Sequence, residues 1–124
     1  MGNIMLVEDD LIMIGLLETL LDIEGFQVIK VSDFTNVVEN VRENRPDLIL
    51  LDVNLPDVSG LDILETIRQD EELKHISVIM SSGMDLGDKC RRMGANDFLM
   101  KPYMPDELIK KIKLHLQDEG EIGE

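Results

Sequence analysis

The sequence is poor in cysteine and aromatic residues and has no long hydrophobic run. Its 124 residues include one cysteine, one tyrosine, three phenylalanines and no tryptophan. A single cysteine cannot form an internal disulfide, which is consistent with a reducing compartment. Without a long apolar run, or a basic N-terminal region followed by an apolar segment, we expect neither a membrane span nor a signal peptide. We therefore expect a cytoplasmic protein.

Positive charge is also scarce. The chain has 12 Lys and Arg residues against 26 Asp and Glu residues, and its formal net charge is −14. Because nucleic-acid binding depends on Lys and Arg neutralising phosphates, we expect no direct binding to nucleic acid. Metal-ligand companions are missing around His75 and His115, so both are expected to be ordinary surface residues.

The apolar residues predict one α/β domain. They make up 44% of the chain, which is enough for one folded core. Short strand-like runs ("NIMLV", "FQVIKV", "DLILL", "ISVIMS", "NDFLM") alternate with helical patterns, of which "DLGDKCRRMG" is the shortest. A second helix is expected to open at Ser32 or Asp33, and a third to cover "GLDILETIRQDEEL". Five strands alternating with five helices predict a parallel sheet covered on both faces.

Polar residues collect where the predicted strands end. Asp52 ends an apolar run, and burial of an ionised carboxylate without a partner is costly. Glu8 and Asp9 end the first strand, and ligands of such sheets sit at the carboxyl ends of strands. Two carboxylates about 4 Å apart repel by roughly 4 kcal/mol at an effective dielectric near 20. A proton or a cation must relieve that repulsion, and Mg²⁺ (or Mn²⁺) suits oxygen ligands.

Further polar groups close the same edge. Lys101 ends the fifth strand and precedes Pro102, and an X-Pro bond adopts the cis form at modest cost. Ser81 and Ser82 end the fourth strand. A metal, a carboxylate, a lysine and a hydroxyl around one point predict phosphoryl transfer with the carboxylate as nucleophile.

Four motifs now resemble one family. "MLVEDD", "LILLDVNLPDVSG", "ISVIMSSG" and "GANDFLMKPY" are similar, in order and spacing, to the motifs of the CheY-like receiver domain of two-component response regulators. The resemblance covers about residues 3–118, giving a receiver domain at 1–118 and an acidic tail at 119–124. It implies a flavodoxin-like, doubly wound sheet of five parallel strands in the order 2-1-3-4-5, flanked by five helices.

The resemblance also implies a role for each site residue. Asp52 is the expected phosphoacceptor, and the metal ligands are expected to be Glu8, Asp9, Asp52 and the backbone carbonyl of Asn54. The phosphate-binding and switch residues are expected to be Ser82, Lys101 and Phe98. Phosphorylation would shift the face formed by the fourth helix, fifth strand and fifth helix.

The sequence departs from the family pattern in two places. Ser81 stands where an apolar residue is usual, so either serine could bind the phosphate, with Ser82 favoured by the alignment. The segment from Ser82 to Lys101 is about three residues shorter than expected, which shortens the fourth helix or the loop before it.

Four residues near the site have further expected roles. Asp10 is expected to help cap the first helix, and Met84 to limit attack of water on the phosphoaspartate. Tyr103 and Met104 are candidates for a partner surface.

The expected partners are a sensor histidine kinase or phosphotransfer protein and a target protein on the switch face. We expect a monomer, or a dimer that forms on phosphorylation, either as a stand-alone receiver or as part of a longer regulator. We expect no enzymatic turnover beyond slow self-phosphorylation and autodephosphorylation. The alternatives are a non-phosphorylated pseudo-receiver that binds a partner, and a phosphatase with an aspartate nucleophile.

Overall fold

The protein alternates strands and helices along its length. A computed structural model describes residues 2–120, with side chains as far as Leu116. The strands are β1 (Asn3–Val7), β2 (Gln27–Lys30), β3 (Leu48–Asp52), β4 (Ser77–Ser82) and β5 (Asp97–Met100). The helices are α1 (Leu11–Ile23), α2 (Val37–Asn44), α3 (Gly60–Gln69), α4 (Gly87–Arg92) and α5 (Pro105–Gly120). Of the predicted tail, residues 119–120 belong to α5 and residues 121–124 lie outside the described residues.

All five strands form one parallel sheet in the order β2-β1-β3-β4-β5. The predicted fold class and strand order are therefore confirmed. Every residue of β3 and β4 is buried, as expected for central strands covered on both faces. Side chains alternate along each strand between two apolar cores, one beneath α2, α3 and α4, the other beneath α1 and α5.

Some element boundaries differ from those predicted. Asp33 caps a single 3-10 turn, Phe34–Asn36, and α2 itself begins at Val37. The third helix ends at Gln69 and does not continue through "DEEL". A small antiparallel hairpin after β3 pairs Asn54–Leu55 with Val58–Ser59, and strands this short leave no periodic signal in a sequence.

Gly60 begins α3 against the end of β3. Its N–H donates to the carbonyl of Val53 at 2.8 Å, and a Cβ at this position would overlap the backbone carbonyl of Asp52. A glycine is required because the helix start and the strand end approach each other too closely for any side chain. The first turn of α3 is therefore fixed directly to the segment that carries Asp52.

Asp97 joins the edge strand β5 to the helices on either side of it. Its carboxylate accepts hydrogen bonds from Arg91 of α4 (3.1 Å), Lys111 of α5 (3.0 Å) and the backbone N–H of Phe98 (2.9 Å). His115 Nε2 lies 3.1 Å from the other oxygen, with 17% of its side chain exposed. The expectation that His115 is an ordinary surface residue is thus wrong, whereas His75 is exposed.

These contacts set the acidity of Asp97. Burial alone would raise its pKa, but the hydrogen bonds from His115, Lys111 and the Phe98 backbone outweigh burial and hold its pKa at about 2. Within residues 2–120, no helix has both the length and the apolar character needed to cross a membrane.

Replacing Gly60 by alanine should strongly destabilise the fold. The new methyl group meets backbone atoms of Asp52, which cannot rotate away, so we expect the free energy of unfolding to fall by about 3 kcal/mol. Urea denaturation measures the change. Gly15→Ala is the matched control, because Gly15 is exposed on α1 with open space around it, and alanine there should stabilise the helix by about 0.5–1 kcal/mol. Equal stabilities for both variants would contradict the close approach.

Asp97→Asn should make stability less dependent on pH in the acid range. The folded-state pKa of about 2 lies below the ordinary 3.8, so the carboxylate stabilises the fold above pH 3.8 and loses this effect as the pH falls toward 2. We expect the stability difference between wild type and variant to shrink by about 1 kcal/mol between pH 6 and pH 3.

Urea denaturation across that pH range tests this expectation. Asp85→Asn, at an exposed carboxylate outside the cluster, serves as the control. A difference for Asp97→Asn that stays constant from pH 6 to pH 3 would contradict the prediction.

Candidate functional site

Three carboxylates meet at the carboxyl end of the sheet. Glu8 and Asp9 follow β1, and Asp52 ends the neighbouring β3. Oxygen atoms of the three side chains lie within 4.8 Å of one another. Glu8 and Asp52 are only 3% and 4% exposed, whereas Asp9 is exposed. The structure thus brings together the three acidic side chains predicted to form the site.

Lys101 lies between two of these carboxylates. Its Nζ donates to Glu8 Oε1 at 2.7 Å and to Asp52 Oδ2 at 2.9 Å. The lysine follows β5, two strands away from β3, so its side chain crosses over β4 to reach them. The Lys101–Pro102 peptide bond is cis.

The pKa values of Lys101 and Glu8 are both raised, for different reasons. Burial opposes the charged form of Lys101, but the hydrogen bonds and charges of Glu8 and Asp52 outweigh it and raise the lysine pKa. Burial raises the pKa of Glu8, and the hydrogen bonds from Lys101 and the Asp10 backbone reduce that increase. The raised pKa favours the charged form of Lys101 beside the two carboxylates.

Backbone N–H groups fix the carboxylates from the other side. Glu8 Oε2 accepts from the backbone N–H groups of Asp9 and Asp10, both at 3.1 Å. Asp52 Oδ1 accepts from the backbone N–H of Asn54 at 3.1 Å. Asp10 caps α1, accepting from the N–H groups at positions 12 and 13, as predicted. The acidic side chains are thus held in place by local backbone turns.

The two serines of β4 have different surroundings. Ser82 Oγ accepts from the backbone N–H of Met84 at 3.1 Å and from Asn54 Nδ2 at 3.3 Å. Ser81 stands beside Asp52 in the register of β3 and β4, and its Oγ is buried without a hydrogen-bond partner among the described residues. Ser82 Oγ is thus held by the segments that follow β3 and β4, whereas Ser81 Oγ has no such contact with the described residues.

The remaining predicted residues lie around this centre. Phe98 is buried and packs against Gly87 at the start of α4, and Met84 is 61% exposed. Tyr103 packs on the core beneath α1 and α5, and its hydroxyl is buried with no hydrogen-bond partner among the described residues. Burial and the charge of Glu8 raise the tyrosine pKa to about 12. The hydroxyl of Tyr103 therefore does not reach the surface expected for it, whereas Met104 is exposed.

Sequence reasoning missed the contact between Asn54 and Ser82 and the burial of the Tyr103 hydroxyl. The motif containing Asn54 pointed only to its backbone carbonyl as a metal ligand. The side-chain contact depends on how far the hairpin after β3 folds toward β4, which no local pattern encodes.

The donor set fits a hard divalent cation. All three side chains offer carboxylate oxygen, which Mg²⁺ and Mn²⁺ prefer, and the exposed Asp9 leaves the cluster open to water. Asp52 is one of the two buried carboxylates of this cluster. The arrangement can therefore place a negatively charged, oxygen-rich substrate next to Asp52 and Lys101.

Comparisons with known proteins agree on one family. The sequence profile of the response regulator receiver domain matches residues 4–113. The chain is 34% identical over 119 residues to the polar-differentiation response regulator DivK of Brucella anthropi, covering 94% of this chain and 97% of that one.

Two solved structures are also similar. The receiver domain of a sensor histidine kinase from Pseudomonas aeruginosa, with a magnesium ion coordinated in its active site cleft, is 30% identical, with a TM-score of 0.84 and coverage of 94% and 98%. The BeF3-activated receiver domain of RstA from Klebsiella pneumoniae is 26% identical, with a TM-score of 0.82 and coverage of 92% and 97%.

Alanine should be tolerated at Ser81 but should destabilise the fold at Ser82. Ser81→Ala removes a buried hydroxyl that has no partner among the described residues, so we expect the free energy of unfolding to stay equal or rise by about 1 kcal/mol. Ser82→Ala removes the acceptor of two hydrogen bonds and should lower it by about 1 kcal/mol. Urea denaturation of both variants measures these changes in the free energy of unfolding. A larger loss for Ser81→Ala than for Ser82→Ala would contradict this assignment.

Proposed function

The chain belongs to the receiver domain family of response regulators, and from this membership we propose that Asp52 accepts a phosphoryl group in a two-component pathway. The observation that carries the proposal is the position of Asp52: a buried carboxylate within the acidic cluster and 2.9 Å from the Lys101 ammonium. The phosphodonor is a phosphohistidine of a sensor kinase or phosphotransfer protein, or a small acyl phosphate.

Each group of the site has a task in the transfer. An oxygen of Asp52 attacks phosphorus, and the bond between phosphorus and the donor atom breaks as the new O–P bond forms. The Asn54 N–H holds the other carboxylate oxygen and orients the nucleophile. Lys101 lies close enough to bind an oxygen of the arriving phosphoryl group.

The metal site fits the same step. Mg²⁺ or Mn²⁺ would be held by Glu8, Asp9 and Asp52 with the backbone carbonyl of Asn54, and would neutralise charge on the phosphoryl oxygens. The fit of the carboxylate cluster to such an ion and the magnesium-bound relative support this assignment.

The added charge then changes the balance of contacts around Lys101. A phosphoryl group on Asp52 competes with Glu8 for the ammonium, and the hydroxyl of Ser82 becomes a donor to the new oxygens. The buried Phe98 packs against Gly87 at the start of α4, and its movement with Ser82 shifts the face formed by α4, β5 and α5. A target protein, or a second copy of the phosphorylated chain, reads that face.

We also propose that the chain is not an enzyme that turns over a substrate. A phosphatase that uses an aspartate nucleophile needs a second acid nearby to protonate the leaving group. The residue two positions after Asp52 is Asn54, whose amide donates to Ser82 Oγ and carries no transferable proton. This contact favours a phosphoacceptor over a phosphatase.

The proposal predicts a covalent adduct that depends on both Asp52 and the metal. Incubation with acetyl phosphate and Mg²⁺ should add one phosphoryl group, measured by intact mass, and the adduct should vanish with a chelator or in Asp52→Asn. The exposed Asp62 of α3 provides the control, because Asp62→Asn should react like the wild type. If the wild type gains no phosphoryl group and also fails to bind beryllofluoride, the phosphoacceptor role of Asp52 is refuted. The favoured function is then that of a non-phosphorylated binding module.

A further inference from the structure

A groove of about 820 Å³ opens between α2 and α3. One wall is formed by the 3-10 turn and the start of α2, and the other by the hairpin after β3 and the first turns of α3. Leu86, which precedes α4, also lines the groove. Of the residues assigned to phosphoryl transfer, only Asn54 lies in its lining. The groove is therefore a neighbour of the phosphorylation site and distinct from it.

The groove contains apolar side chains that the core leaves half exposed. Seven half-buried hydrophobic side chains of the described residues pack against the core beneath α2, α3 and α4. Five of these seven line the groove: Phe34, Val38, Val58, Leu61 and Leu86. Apolar surface in a concave site favours a ligand that removes it from water. A ligand of this groove must therefore carry apolar groups of its own.

The charged residues of the groove are all acidic. Glu39, Asp57 and Asp62 line it, and no lysine or arginine does. Glu39 pairs with Arg42 at 2.7 Å, whereas Asp57 and Asp62 form no ion pair with the described residues. Both of these aspartates are exposed. Since complementary charges attract across an interface, the two unpaired carboxylates favour a ligand with positive charge.

The hairpin after β3 fixes the position of Asp57. Leu55 and Val58 pair across the hairpin, and Asp57 lies in the turn between them. Its φ of 66° falls in the left-handed region, where aspartate and asparagine are tolerated better than most residues. Replacement of Asp57 by asparagine therefore removes the charge while the turn that shapes this wall is kept.

The chemistry of the groove selects one class of ligand. Among the described residues, only Glu8, Asp9 and Asp52 form a group of three side chains compact enough to hold a metal ion, so the carboxylates of the groove do not form a metal site. Nucleic acid and anionic membranes carry negative charge and would be repelled. A small organic amine can pair with a carboxylate but cannot cover five apolar side chains. A basic peptide segment with apolar side chains can do both.

We propose that the groove between α2 and α3 binds a basic amphipathic peptide segment of a partner protein. Lysine or arginine side chains of the segment pair with Asp57 and Asp62, and its apolar side chains cover the half-exposed apolar wall. The inference goes beyond the proposed phosphoacceptor role, because it assigns a second surface that requires no phosphoryl group. Asn54 lines the groove and donates hydrogen bonds to Asp52 and Ser82, so the bound segment lies next to the phosphorylation site.

A selection from random short peptides tests the ligand class without presupposing a sequence. A display library is panned on the full, unphosphorylated chain, and the enriched peptides are synthesised and measured by fluorescence anisotropy. We expect them to carry net positive charge together with apolar residues. The double variant Asp57→Asn, Asp62→Asn should bind them roughly fivefold more weakly or worse, because two charge pairs are lost.

A matched control separates local recognition from overall charge. The variant Asp22→Asn, Glu65→Gln changes the net charge by the same amount, at two exposed carboxylates outside the groove, one of them on α3 itself. It should keep nearly wild-type affinity, and thermal melting should show that both double variants fold. Equal loss of binding in both variants overturns the proposal. So does a selection that enriches no peptide, or only peptides without net positive charge.

A second measurement locates the bound peptide on the protein. In ¹⁵N-labelled protein titrated with a selected peptide, the amide signals of groove residues such as Val38, Asn54 and Leu61 should shift most. Larger shifts on α1 or α5 would place the peptide elsewhere and overturn the proposal. Tighter binding of single-stranded DNA or anionic vesicles than of any selected peptide overturns it as well. Neither measurement involves a phosphoryl group, so failure of the phosphoacceptor role and failure of the groove are distinguishable.

Discussion

The ammonium of Lys101 makes this arrangement of strands possible. Glu8 and Asp52 are almost fully buried on adjacent strands, and two buried carboxylates without a cation would repel each other strongly. Lys101 contacts both, and in doing so ties the end of β5 to the ends of β1 and β3. One side chain therefore spans four neighbouring strands of the sheet. The site and the fold share this contact, so a charge change at Asp52 also changes what holds β5 in register.

Much of the fold and most of the site could be predicted from the sequence because both follow local rules. Alternating strand and helix patterns define a parallel sheet, and polar residues at strand ends meet at one edge of it, as Glu8, Asp52 and Lys101 do. The missed features depend on contacts between distant segments. His115 carries no local sign that Asp97 lies one layer away, and Tyr103 carries none that its hydroxyl turns inward. The hairpin after β3 was missed because two residues per strand are too few to show a period.

The ion pairs of this protein differ in how much they contribute to the fold. Cations within the structure neutralise particular carboxylates: Lys111 and Arg91 pair with Asp97, and Lys113 pairs with Glu24 across α5 and α1. Ion pairs at the exposed surface contribute little to stability, so the partly buried Asp97 cluster matters more to the fold than the pairs on α2.

The glycine contact at the start of α3 has a mechanical consequence. Since Gly60 touches the backbone of Asp52 directly, β3 and the first turn of α3 must translate together as a rigid unit. The loop after β4 is tethered more lightly, with one side-chain hydrogen bond from Met84 to Ser82 and one backbone bond from Leu86 to Met84. The backbone around Asp52 is therefore held more firmly on the side of α3 than on the side of α4. Because of this difference, a change at Asp52 displaces the loop before α4 more easily than it displaces α3, even without a bound partner.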